Sequence, residues 1–134
     1  MTVTLNHTIV QARDQDASAR FLSDILGLAP PTTFAHFTIV QVGETSLDFS
    51  STGGEIAPRH FAFLVSEAEF DEIFGRISQR AMPYWADPGH HEPGEINRRD
   101  NGRGLYFEDP DGHNLEILTR PYGSGSTATD SPAS

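Results

Sequence analysis

The chain states one pattern twice, and that repetition constrains its fold more than any other feature. The first half reads as a strand over Leu5 to Ala12, a helix over Asp16 to Leu26, and short strands ending in Thr45 to Ser50. The second half repeats the order, with a strand over Arg59 to Val65, a helix over Ser66 to Arg80, and short strands ending in Asn114 to Thr119. His7 and His60 stand at the same place in the two opening strands, and Asp48 and Glu116 at the same place in the two closing ones. One duplicated unit therefore supplies four candidate metal ligands.

Local signals support the repeat. Leu5, His7 and Ile9 alternate with Asn6, Thr8 and Val10, so His7 is expected on an apolar face rather than as a stray surface residue. Asp14 or Asp16 caps the first helix, Phe21, Leu22, Ile25 and Leu26 form its apolar stripe, and Gly27 ends it. Pro30-Pro31 stops the helix, and Phe34 to Val42 and Thr45 to Ser50 read as strands joined around Gly43. Ser51 to Gly54 is a linker. Ser66 and Glu69 form a capping box ahead of Phe70, Ile73, Phe74 and Ile77 at helical spacing. The run from Asp87 to Gly104 is rich in Gly, Pro, His and charge without apolar periodicity, and a loop of that length in a small domain points to function. Leu105 to Phe107 resumes a strand, the turn Asp109 to Gly112 reverses it, and Asn114 to Arg120 runs back.

Composition narrows the function classes. With 134 residues, 37% hydrophobic and 21% charged, the chain suits one globular domain over 1–122, with module one at 3–52, module two at 57–122 and a disordered tail at 123–134. Nineteen acidic against nine basic side chains give a formal net charge of -10, which argues against nucleic acid as a partner. No apolar run reaches membrane-spanning length and the start lacks a signal-peptide pattern, so no membrane partner and a cytoplasmic location are expected. Cysteine is absent, so any metal must be held by imidazole and carboxylate.

The segments LNHTIV, FLSDILGL, RHFAFLV and above all GLYFEDPDGHNLEIL resemble the vicinal oxygen chelate superfamily, which includes glyoxalase I, fosfomycin-resistance thiol transferases, extradiol dioxygenases and bleomycin-binding proteins. The resemblance spans roughly residues 4 to 120. It implies an α+β fold in which two tandem βαβββ modules form a curled mixed sheet around a metal-site cleft. It places His7, His60 and Glu116 at the family's metal-binding His, His and Glu, and Asp48 where glyoxalase I keeps a further glutamate. Such a set suits one divalent ion, Mn, Fe, Co, Ni or Zn, with positions left for two neighbouring substrate oxygens. Asp48 is one methylene shorter than glutamate, so fourth ligand, outer-shell acceptor and catalytic base all stay open for it.

Tyr106 lies near where family members place a hydroxyl facing substrate, and serves with Asp48 as the expected catalytic pair. Trp85, beside Tyr84, is the expected apolar wall for substrate, and Arg103 the anchor for an anionic group on it. His113 is expected to point away from the site as a structural residue, and His36 has no assigned role. The implied function is a metal-dependent lyase or isomerase of glyoxalase type, or a dioxygenase, acting on a small oxygenated metabolite. The alternative is a non-catalytic protein that sequesters a drug or metabolite, as bleomycin-resistance proteins do. Either form is expected as a homodimer.

Overall fold

Apolar residues at strand and helix periods sort the chain into strands β1 (His7–Ala12), β2 (Thr32–Phe34), β3 (Phe37–Val42), β4 (Thr45–Ser51), β5 (His60–Leu64), β6 (Gly104–Glu108) and β7 (Asn114–Leu118), with helices α1 (Gln15–Leu26) and α2 (Glu67–Gln79). The structure is a computed structural model and describes residues 2–125. It is an α+β chain with two mixed sheets, ordered β1-β4-β3-β2 and β5-β7-β6. No helix among the described residues is long and apolar enough to cross a membrane. The chain divides into two compact units, Met1–Ala57 with Asp109–Asp111, and Pro58–Glu108 with Gly112–Ser134. The expected tail lies outside the described residues, apart from residues 123–125.

In the first unit β1 runs parallel to β4, and β3 runs antiparallel to both β2 and β4. The strand expected over Phe34 to Val42 is present from Phe37, while Phe34 ends the separate strand β2, because Ala35 takes a left-handed φ of 54° where the chain reverses between them. Asp14 caps α1 by accepting from the Ala17 amide at 3.1 Å, while Asp16 accepts from the Thr38 hydroxyl. Gly27 closes the helix in the left-handed conformation (φ 73°). Leu22 and Ile25 of α1 are buried, as are Val10, Ala12, Leu47 and Phe49 on the strands. The turn residue Asp111 accepts from the Arg13 amide and the Ser18 hydroxyl.

The buried face of β1 is therefore Val10 and Ala12, and the face carrying His7 is the exposed one, with Leu5 at 65% and Ile9 at 54% exposure. This corrects the reading of His7 from its apolar neighbours. Both faces of β1 alternate with apolar residues, and only the side on which α1 packs becomes core.

In the second unit β5 runs parallel to β7, and β6 antiparallel to it. Phe63, Phe70, Ile73, Ile77, Leu105, Phe107, Leu115 and Ile117 are buried, each contributing about 1.5 to 3 kcal/mol of transfer free energy. Ser66 and Glu69 form the reciprocal capping box at the start of α2, with bonds of 3.1 and 2.8 Å.

Among the described residues the second half shows three strands, one short of a βαβββ unit. In place of a fourth, isolated bridges join Trp85 to Pro93 and Tyr106, and Asn97 to Gly104. Pro83, Pro88 and Pro93 bring no amide hydrogen to a ladder. The Asp87 carboxylate turns the chain by accepting the His91 and Glu92 amides at 2.8 Å.

Candidate metal centre

Strand register puts the chemistry of the second unit on one sheet face. Glu116 of β7 stands between Ala62 of β5 and Tyr106 of β6, and Tyr106 bridges on to Trp85. Two residues earlier Asn114 stands between His60 and Glu108. Side chains two apart on a strand share a face, so His60, Asn114, Glu116, Tyr106 and Glu108 all project to one side. The alternate residues Leu115, Ile117, Leu105 and Phe107 enter the core on the other side.

The centre of this face is a close pair, with His60 Nε2 3.0 Å from Glu116 Oε1. His60 Nδ1 lies 3.1 Å from the Asn114 carbonyl oxygen, which can only accept, so this nitrogen carries a proton. That leaves Nε2 as the atom facing the carboxylate, an encounter that needs a shared proton or a cation. Two donor atoms bound to one ion at about 2.1 Å and at right angles would stand about 3 Å apart, so the pair fits a divalent metal in chemistry and spacing. The outward-facing lone pair with Nδ1 tied to a carbonyl is the arrangement usual for metal-ligating histidine.

Glu116 is 1% exposed and has a second neighbour that the sequence did not single out. The Tyr122 hydroxyl, on the turn after β7, lies 2.7 Å from both carboxylate oxygens. Tyr106, also 1% exposed, places its hydroxyl 3.0 Å from that of Tyr122, and Arg99 Nη1 donates to Tyr106 at 3.1 Å. A guanidinium only donates and a carboxylate only accepts, so the chain of donors runs from Arg99 through Tyr106 and Tyr122 to Glu116. Burial raises the pKa of the Tyr106 hydroxyl above the ordinary tyrosine value. Burial raises that of Tyr122 much further, reinforced by its bonds to Tyr106 and Glu116. Nothing in the composition of the Pro121 to Ser124 segment signals this role, since only the fold brings it back over β7.

Trp85 stacks on His90 with ring centroids 3.7 Å apart and planes within 2°. His90 Nε2 donates to the Asn114 side chain at 2.9 Å, so this aromatic pair stands behind the residue whose carbonyl orients His60. Arg103, expected at the substrate, points elsewhere: its guanidinium is bound by Glu67 at 2.7 Å and Asp71 at 2.8 Å on α2, and lies over the Phe70 ring. These carboxylates, Asp71 foremost, raise its pKa. The arginine that reaches the tyrosines is Arg99, four residues earlier. His113 is buried and accepts from the Arg59 amide at 3.0 Å.

The first unit carries the matching pair in looser form. His7 is exposed, and its Nδ1 donates to the Asn6 side chain at 2.7 Å. Asp48, buried opposite Ile9 and Ile39, accepts from the Ser46 hydroxyl at 2.7 Å. Among the described residues no hydrogen bond joins His7 to Asp48, and no group of three or more His, Asp or Glu side chains gathers to hold a metal ion. His60 and Glu116 are brought together as a pair only.

The chain is similar to several known proteins. The family model described as Glyoxalase/Bleomycin resistance protein/Dioxygenase superfamily matches residues 4–117. The solved structure of a protein named Oxidase ChaP-H1 is 64% identical, with a TM-score of 0.89, and the match covers 91% of this chain and 99% of that one. The glutathione transferase FosA of Serratia marcescens is 26% identical over 124 residues, covering 87% of this chain and 81% of that protein. The metallothiol transferase FosB of Lysinibacillus sphaericus is 26% identical over 126 residues, covering 89% of this chain and 84% of that protein.

Proposed function

The chain belongs to the Glyoxalase/Bleomycin resistance protein/Dioxygenase superfamily, and from that premise we propose that it is a divalent-metal-dependent oxidase acting on a small oxygenated substrate. The observation that carries this reading is the 64% identity to Oxidase ChaP-H1 across 99% of that chain. It favours the oxygen-dependent arm of the superfamily over the glyoxalase-type lyase or isomerase arm.

His60 and Glu116 hold the ion in this proposal, and a His7, from the same chain or a second copy, completes the set that the superfamily resemblance implies. The curled sheet around a metal cleft and the homodimer belong to the same proposal. A bound divalent ion would grip neighbouring substrate oxygens and stabilise negative charge on them. Asp48 is the candidate base, held by Ser46. Tyr106 is the hydroxyl donor beside Glu116, and Trp85 supplies an apolar wall. Arg103 drops out because Glu67 and Asp71 already bind its guanidinium.

The test is metal analysis of protein purified without chelator or affinity-metal resin, followed by oxygen uptake with catechols and small hydroxyketones in the presence of Fe(II), Mn(II) or Co(II). About one ion per chain and metal-dependent oxygen uptake are expected, both lost in His60→Ala. Turnover that persists unchanged in that variant overturns the assignment. Sequestration without turnover is the second reading, and one observation favours it: Trp85 stacks on His90 and His60 on Tyr106, so aromatic rings line this face. Tight ligand binding without oxygen uptake at any metal would select it.

A further inference from the structure

Glu116 and Tyr106 cannot meet a metal or a substrate while the turn after β7 stays where it is. Tyr122 sits on that turn with its hydroxyl equidistant from both Glu116 oxygens, as a cation held by both would be. Tyr122 is 46% exposed as a residue, although its hydroxyl reaches the buried Glu116 carboxylate. The turn is built rather than loose. The Gly123 and Gly125 amides donate to the Asp100 carboxylate at 3.2 and 3.0 Å, the Ser124 hydroxyl donates to the Pro121 carbonyl at 2.6 Å, and Arg120 donates to the Ser124 carbonyl at 2.9 Å. Asp100 is buried, in a left-handed conformation (φ 55°) that a non-glycine residue adopts only when its surroundings hold it there. A side-chain carbon on Gly125 would fall 2.4 Å from Asp100 Cα, so the two backbones touch.

We propose that the turn 121–125 is a displaceable cap on the metal centre, with the Tyr122 hydroxyl serving as the internal competitor that a divalent cation must remove from Glu116. The cap rests on the metal-site reading given above. A buried carboxylate needs donors, and the single proton of the Tyr122 hydroxyl, 2.7 Å from both Glu116 oxygens, is shared between them. A bond present in the free protein and absent in the loaded one lowers apparent affinity by the stability it gives the free form. When the hydroxyl leaves, Tyr106 loses its Tyr122 partner and keeps Arg99, so metal loading also frees the Tyr106 hydroxyl for a substrate. Metal entry and uncovering of the site are then one event.

The experiment titrates the full chain with Zn(II) and Co(II) by calorimetry and follows amide hydrogen exchange at Gly123 and Gly125. In Tyr122→Phe, metal should bind about tenfold more tightly, since a hydrogen bond to a charged group is lost from the free state alone. Metal-free Tyr122→Phe should melt earlier than the parent, with little difference once loaded. In the parent chain, metal should speed exchange at Gly123 and Gly125. Gly125→Ala, which pushes the turn off Asp100 and so loosens Tyr122 from Glu116 without altering its side chain, should also tighten binding and guards against a Tyr122 variant that fails to fold. Weaker or unchanged affinity in both variants overturns the cap and makes Tyr122 an orienting partner of bound Glu116, with the metal site intact. If no variant binds either metal, the metal reading itself falls and the cap falls with it.

Discussion

The two units start from the same strand register and arrive at different chemistry. His7 opens β1 opposite Ser46, two residues before Asp48, and His60 opens β5 opposite Asn114, two residues before Glu116. In the second unit the longer acid reaches the imidazole at 3.0 Å. In the first, the shorter acid is held by Ser46 on its own strand, and His7 turns to Asn6. One methylene, together with a hydroxyl two residues earlier, separates a hydrogen-bonded pair from a pair of independent groups. The duplicated face provides positions, and side-chain length decides which of them meet.

The largest effect that tests this contrast is on metal binding. Glu116→Gln should weaken metal affinity by at least about 100-fold, more than the usual loss of an outer-shell partner, whereas Asp48→Asn should stay within about tenfold. Competition against a chromophoric chelator measures both. Equal losses would break the asymmetry and make Asp48 a ligand. Asp48→Glu sharpens the comparison, because restoring the methylene should move the first unit toward the second and strengthen binding.

The cores, by contrast, should respond alike. Ile25 of α1 and Ile73 of α2 are both buried on the core-facing stripe of their helices, and truncating either to Ala should cost about 2 to 5 kcal/mol in denaturant unfolding. A much smaller cost on one side would mean that the two units are not packed equally well.

These contrasts were only partly legible in the sequence. Both helices and their caps follow from apolar spacing and from Asp14, Gly27, Ser66 and Glu69, which act within a few residues of themselves. The buried side of β1 was not legible, because Leu5 and Ile9 are as apolar as Val10 and the choice is made by α1 across the sheet. The departure of the second half from a full βαβββ unit was not legible either, because the Asp87 turn depends on which amides that carboxylate meets. Arg103 and Tyr122 lay furthest from view. An arginine in a polar loop gives no sign that Glu67 and Asp71 will take it, and a tyrosine next to a Gly/Ser-rich tail gives none that it will return to Glu116.

The smallest effect lies at the helix starts, where the two units again solve one problem differently. Asp14 caps α1 in one direction only, by accepting from Ala17, while Ser66 and Glu69 cap α2 reciprocally. Ser66→Ala should cost about 1 kcal/mol at neutral pH, since the hydroxyl that accepts the Glu69 amide is lost. The reciprocal arm survives in Ser66→Ala, because its donor is a backbone amide, and it is this arm that depends on pH. The Ser66 amide, and after it the Ser66 hydroxyl, hold the Glu69 carboxyl below the usual glutamate range. A carboxylate whose pKa is depressed by folding adds stability above its unfolded value and loses it as pH falls through the folded one. The gap between the parent chain and Glu69→Ala, which removes that carboxylate, should therefore narrow as the pH drops below about 4, the ordinary glutamate range. Urea unfolding of both chains at neutral and at acid pH reads this directly. A gap that stays constant would mean that the Glu69 arm adds nothing and that α2, like α1, is capped from one side alone.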